Sequence, residues 1–298
     1  MVYNWQEPDT RGAWQPQWRN DFSRGIVPKN CHSHNDYWRS VPLYEALAAG
    51  CISIEADIWV TEDEELLVSH TWRSTKKDRT LKNLYIDPLM NILEKRNVSS
   101  TFSKRREVGV FEADADVSVV LLIDFKNNGR DIWPVLVRQL KHLRERGWLS
   151  YFDGERVIKG PLTIVGTGNT PFELIQKMGS DRFIFFDAPL NDASNPAYTS
   201  SNSYYASARM RKAIGLVWFD LSVTQIDTLK SQIHVTADKH LVSRYWSTPS
   251  WPMSLRNKIW NTLMKNHVGM LNIDDLDVAK RTDWAWCAHP GLSICKSP

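Results

Sequence analysis

"GCISIEADIWV", residues 50–60, is a β-branched, apolar run broken by two carboxylates. Its length and composition read as a buried strand. Glu55 and Asp57 are two apart, so they project from one face of it. "DVSVVLLIDFK" (116–126) repeats the design and ends in Asp124 and Lys126. Five more runs follow the pattern, at 160–168, 181–190, 213–221, 239–247 and 267–276, and "KNCHSHND" (29–36) makes an eighth candidate strand. Helical periodicity fills the gaps at 41–50, 131–147, 170–179, 222–239 and 253–267, several of these stretches stopping at glycine. Eight strand–helix alternations predict an α/β fold, a single TIM (β/α)8 barrel of irregular form. No linker rich in Gly, Ser and Pro divides the chain. The expected organisation is an N-terminal arm over 1–28, a barrel over 29–280 and a C-terminal tail over 281–298. Residues 61–115 are irregular, and inserts of that length are often functional.

Composition excludes several classes of function. The net charge of +3 on 298 residues is small and scattered, so nucleic acid is not an expected partner. Short basic runs such as Lys76-Lys77 and Lys104-Arg105-Arg106 read as solvated faces. No stretch approaches about 18 apolar residues, which excludes a membrane-spanning helix. The N-terminus lacks the apolar centre of a signal peptide. A soluble, cytoplasmic, monomeric protein is the expectation, unless a targeting segment has been trimmed. None of the four cysteines forms a CxxC pair, which argues against zinc. Cys287 and Cys295 either bridge or stay free. Asn97-Val98-Ser99 fits a glycosylation acceptor. Most of the 14 tryptophans should be packing, while Trp59, Trp72 and Trp246 at predicted strand ends could wall a pocket.

In a parallel barrel the chemistry collects at the C-terminal ends of the strands. "NCHSHNDYW" (30–38) places His32, His34 and Asn35 there. Glu55 and Asp57 end the second strand, Asp124 and Lys126 the third, Arg244 and Trp246 the seventh, and Asn272 and Asp274 the eighth. Glu55, Asp57 and Asp124 would form an oxygen-rich site suited to Mg²⁺ or Ca²⁺. The bland alternative is a structural network with Lys126 and an arginine. His70, closing "ELLVSH", joins His34 to flank that cation with two imidazoles. Such a site suits phosphodiester cleavage, with one histidine accepting a proton and the other protonating the leaving oxygen. A histidine pair at the first strand also opens metal-dependent amidohydrolases. That scheme needs imidazoles on the middle strands, and His142, His234, His240, His267 and His289 do not supply them.

These blocks, with "RTLKNLYIDPL", "RYWSTPSWPMSLRNKIW" and "MLNIDDL", closely resemble the fungal altered inheritance of mitochondria protein 6 group. That group falls in the phospholipase C-like phosphodiesterase superfamily, with glycerophosphodiester phosphodiesterases and spider-venom sphingomyelinase D. The resemblance runs over about residues 20 to 280. It implies a TIM barrel with a divalent cation on Glu55, Asp57 and Asp124. It also implies two catalytic histidines, His70 and His34, with His32 as the alternate or a supporting partner. Lys126 matches a phosphate-contacting lysine of the sphingomyelinase D branch. Two departures stand out. The first histidine is followed by Asn-Asp where glycerophosphodiesterases have Arg-Gly, and Thr71 follows His70 in place of Asp.

The expected function is a Mg²⁺- or Ca²⁺-dependent phosphodiesterase acting on a phospholipid-like or small phosphodiester. Asn35, Arg244, Trp246 and Asn272 join Lys126 as candidate substrate contacts. The competing reading keeps the pocket but uses it for biosynthetic acid–base chemistry or ligand binding.

Overall fold

The computed structural model describes Ser23, residues 25–97 and residues 108–281. Its strands are β1 (Lys29–Ser33), β2 (Cys51–Val60), β3 (Leu66–Val68), β4 (Val119–Phe125), β5 (Tyr151–Phe152), β6 (Val157–Ile158), β7 (Leu162–Gly168), β8 (Ile184–Pro189), β9 (Ser203–Arg209), β10 (Val242–Trp246) and β11 (Met270–Ile273). Its helices are α1 (Tyr44–Ala48), α2 (Asp87–Asn97), α3 (Gly129–Glu145), α4 (Phe172–Lys177), α5 (Met210–Ile214), α6 (Val223–Asp238), α7 (Met253–Lys265) and α8 (Leu276–Arg281). Strands β1, β2, β4, β7, β8, β9, β10 and β11 pair in parallel in that order, and β11 returns to β1. This is a closed TIM barrel, as the strand–helix alternation predicts. β3 folds back antiparallel on the end of β2.

Local chemistry explains the elements. The run Val119–Ile123 is fully buried, as a strand sandwiched between barrel interior and helices must be. Asn128 caps α3 by accepting from the Arg130 N–H. α6 opens with a reciprocal capping box between Ser222 and Gln225.

The sixth barrel strand corrects the sequence reading. It is β9, and not the apolar run 213–221. That run contains the end of α5 and Gly215, whose φ is 85°, and then an exposed loop. "SYYASAR" escaped notice because its inward face is polar. Tyr205 hydrogen-bonds to Ser53 across the interior, and Ser207 accepts from Arg244.

The cysteine reading also changes. Cys31 of β1 and Cys51 of β2 form a disulfide with Cα atoms 4.7 Å apart, the spacing of adjacent strands. That pairing becomes visible only once the two strands are known neighbours. Cys287, Cys295 and the Lys104-Arg105-Arg106 run lie outside the described residues. So do most of the N-terminal arm and the tail. The Asn97 side chain is engaged by backbone of Leu93 and Val108. No helix among the described residues is long and apolar enough to cross a membrane.

Candidate active site

Three carboxylates converge at the C-terminal end of the barrel. Asp57 on β2 lies in register with Asp124 on β4, and Asp124 with Thr167 on β7. Glu55 stands one step deeper on the same face of β2. One oxygen from each of Glu55, Asp57 and Asp124 lies within 4.8 Å of the others. Gly168 makes room for the third. It takes φ 65°, and a Cβ there would stand 2.0 Å from Asp124 Oδ1.

Lys126 supplies counter-charge. Its Nζ lies 2.9 Å from Asp57 Oδ2 and donates to Asp124 Oδ2 at 2.5 Å. This much matches the bland network. Asp57 Oδ1, however, is buried with no hydrogen-bond partner. A buried, orphaned oxygen on a carboxylate grouped with two others fits a cation better than a closed ion pair. Burial, then the charge of Glu55, push the Asp57 carboxyl up to about 6 despite Lys126.

The two histidines of the first loop have different environments. His32 is fully buried. Burial, then the Arg244 charge, lower it to about 4, so the ring is neutral at pH 7. Its tautomer follows from a chain of hydrogen bonds. Tyr205 donates to Ser53 Oγ, which donates to His32 Nδ1 at 2.7 Å. Nε2–H then donates to Glu55 Oε2 at 3.1 Å. Burial alone would raise Glu55. The His32 hydrogen bond and the charges of His34 and Arg244 outweigh it and hold Glu55 well below the usual carboxylate range.

His34 lies just past the end of β1 at the mouth. Its Nδ1 is 2.6 Å from Asp274 Oδ1, and its Nε2 faces Glu55 at 3.9 Å. Burial would lower it, but the Asp274 hydrogen bond and the Glu55 charge raise it above the ordinary imidazole value. Across the mouth, His70 is held through Nδ1, 3.2 Å from the Tyr37 hydroxyl and 3.3 Å from Asp57 Oδ2. The Ser69 N–H donates to the Asp57 carbonyl, which brings the end of β3 back to the acidic trio.

The remaining candidates are placed less evenly. Arg244 is buried, donating to Ser207, Asn272 and Asp187. Asn272 is therefore buried behind the guanidinium. Asn35, at φ 49°, donates its N–H to Glu55 and accepts from Tyr37. Trp246 is at the rim, with the Arg209 guanidinium 5.9 Å from its ring centroid. Trp59 donates to the Ser69 carbonyl and packs against Trp72 at 6.0 Å.

The sequence reading missed Tyr37 and left Asp274 out of the site. Tyr37 joins Asp57, Asn35 and His70 at one hydroxyl. It sits inside the histidine-rich nonapeptide, which is the signal that could have found it. Asp36 anchors the same loop, accepting from Ser33, Leu43 and Tyr85.

Residues 20–187 match the family model of the AIM6-like phosphodiesterase domain. The chain is 42% identical over 272 residues to an altered inheritance of mitochondria protein 6 homolog from Arthroderma benhamiae, covering 87% of this chain and 85% of that one. It is 34% identical over 302 residues to altered inheritance of mitochondria protein 6 from Kluyveromyces lactis, covering 85% and 72% respectively. Among solved structures, a glycerophosphodiester phosphodiesterase from Thermotoga maritima is distantly similar. Its TM-score is 0.41 and its identity 13%, over 85% of this chain and 96% of that one. With the family model spanning more than half of the chain and a relative matching along most of its own length, this protein belongs to the AIM6-like phosphodiesterase family.

Proposed function

We propose that the chain is a divalent-cation-dependent phosphodiesterase that cleaves a phospholipid-like or small phosphodiester by two-histidine acid–base catalysis. The observation that carries this reading is the placement of His34 and His70 on either side of the acidic trio, each held through Nδ1. That arrangement leaves Nε2 of each ring for a proton transfer at a substrate.

Glu55, Asp57 and Asp124 would hold Mg²⁺ or Ca²⁺, all three donors being hard oxygens. Bound there, the cation would neutralise phosphate charge. The protein's own groups do the rest. His34, its proton affinity raised beside Asp274, takes the proton from the attacking hydroxyl or water. His70 donates a proton to the leaving oxygen. Lys126 neutralises phosphate from the side of Asp124. Tyr37 fixes His70 relative to Asp57, and His32 orients Glu55 without touching the substrate.

The test is turnover of a panel of phosphodiesters, lysophospholipids included, by His34→Ala, His70→Ala, the double variant and His32→Ala. Each of the first two should lose roughly 10²–10⁴ in rate. The double should be little worse than the poorer single, since the pair acts as a unit. Wild-type rates in both single variants would sink the reading.

A further inference from the structure

The exposed large apolar side chains are not spread over the surface. Trp38 follows β1, and Trp72 follows β3. Trp218 and Phe219 lie between α5 and α6, and Trp251 and Met253 lie between β10 and the start of α7. All stand on loops at the C-terminal end of the barrel, around the mouth of the candidate site. At the other end the exposed large apolar residues are two isolated valines, Val27 and Val157. Phe219 is 87% exposed, Trp251 80%, Trp218 72% and Trp38 64%. Clustered exposure of this kind marks an interaction surface, whereas single exposed apolar residues are ordinary.

We propose that this crown of rings seats the barrel mouth on a phospholipid surface, from which the site draws its phosphodiester. Three features choose lipid over a protein partner. The rings come from four separate loops along the β9–β10–β11–β1–β2 side of the barrel mouth. A folded partner resting across them would cover the site, whereas a lipid surface would present headgroups to it. Tryptophan dominates the crown, and its amphipathic ring favours the level of the headgroups. Basic groups stand among the rings. Arg73, Lys76 and Lys77 are exposed in the Trp72 loop, and Arg209 flanks Trp246. Cations beside inserted rings suit lipid phosphates.

Among the nearby acids, Glu62, Asp63, Glu65 and Asp78 are exposed, while two others are paired. Glu64, in the acidic turn between β2 and β3, pairs with Arg138 halfway along α3, and Asp220 pairs with Lys258. The crown is continuous with the catalytic residues, since the Trp38 ring lies 5.3 Å from that of His70.

The source of the substrate rests on the proposed phosphodiesterase function, but the docking face does not. Vesicle binding itself is read without turnover. The full chain is sedimented with phosphatidylcholine vesicles, and with vesicles also containing phosphatidylserine. The parent should partition onto vesicles. Trp218→Ala/Phe219→Ala and, on a separate loop, Trp251→Ala should each weaken partitioning at least about tenfold, because binding scales with inserted apolar area. Their thermal midpoints, and turnover of a water-soluble phosphodiester, should match the parent.

Absence of vesicle binding by the parent, or equal binding by the variants, would overturn the proposal. So would a parent dimer in equilibrium sedimentation that the same substitutions dissolve, since the crown would then pair two copies. Vesicle binding lost in the variants, with no phosphodiester turned over by the parent, would support the docking face and sink the catalytic reading alone.

Discussion

Lys126 is the sharpest point at which to perturb the site. Its ammonium lies 2.9 Å from Asp57 and 2.5 Å from Asp124. Lys126→Met keeps the aliphatic stem and removes the charge. At an effective dielectric of about 20, each contact is worth about 6 kcal/mol of gross attraction. The cost of desolvating the ammonium offsets most of that. Removing one partner of a buried pair typically costs about 3–5 kcal/mol. The lysine is 21% exposed and Asp124 18%, so the lower end, about 3 kcal/mol, is expected. For a chain of this size, with an unfolding entropy of about 2.1 cal/mol/K per residue, that lowers the thermal midpoint by about 5 °C.

The loss depends on pH through Asp57. A carboxyl whose folded value is raised to about 6, above its ordinary 3.8, is charged in the fold only above that range. The lysine therefore matters most at pH 7–8, and its removal costs less as the pH falls through about 6 and Asp57 takes up a proton. A divalent cation bound at the proposed site would supply the missing charge. At about 100 times its Kd it adds about 2.7 kcal/mol, which nearly restores the variant. The assay is thermal unfolding by circular dichroism at pH 8 and pH 5.5, in chelator and in excess Mg²⁺ or Ca²⁺. A variant within about 2 °C of the parent in chelator at pH 8 would refute the counter-charge argument. A cation response smaller in the variant than in the parent would refute the shared site.

Three further outcomes are expected. Asp274→Asn removes the charge that raises His34. If His34 must be neutral to accept a proton, the acid limb of the pH–rate profile should move to lower pH while the plateau falls, and an unmoved limb would detach Asp274 from catalysis. Gly168→Ala forces a Cβ onto Asp124 Oδ1 and adds strain at φ 65°, so cation affinity measured by titration calorimetry should fall with little change in global fold; unaltered affinity would remove Asp124 from the ligand set. His32→Ala should weaken cation binding about 10–100-fold, as loss of a ligand-orienting partner does, without displacing the pH–rate limbs; a shifted limb would make His32 a proton carrier.

Seven of the eight barrel strands were legible: six because their apolar runs are strong and end in polar residues, and β1 from its histidine-bearing run. β9 was not, because barrel interiors near an active site are polar, and "SYYASAR" turns Tyr205 and Ser207 to that interior. The run 213–221 misled for the converse reason. Its apolar residues include Leu216, Trp218 and Phe219, which are exposed at the mouth. A hydrophobic run records burial somewhere, and periodicity does not say whether the cover is the protein's own core. The acidic trio was legible because carboxylates inside buried strands are conspicuous. Tyr37 and Asp274 were not, since each acquires its place only when loops distant in sequence are brought together.

The two histidines of "HSH" show how far a strand's alternation can carry a functional assignment. Equal parity does put both rings on one face, and both approach Glu55 Oε2, His32 at 3.1 Å and His34 at 3.9 Å. What parity leaves open is depth. β1 ends at Ser33, so His32 is the last inward residue of the strand and His34 the first beyond it. Three residues of β1 span two of β2 between Lys29 and His32, which sets His32 opposite Ser53 where an unbroken register would set it opposite Ile54. One ring is therefore sealed in the barrel, neutral and committed to Ser53 and Glu55. The other stands at the mouth with an aspartate behind it. About one strand repeat, roughly 6–7 Å along the chain, separates a residue that can only orient a ligand from one placed to move a proton. Exchanging their roles would require a longer β1.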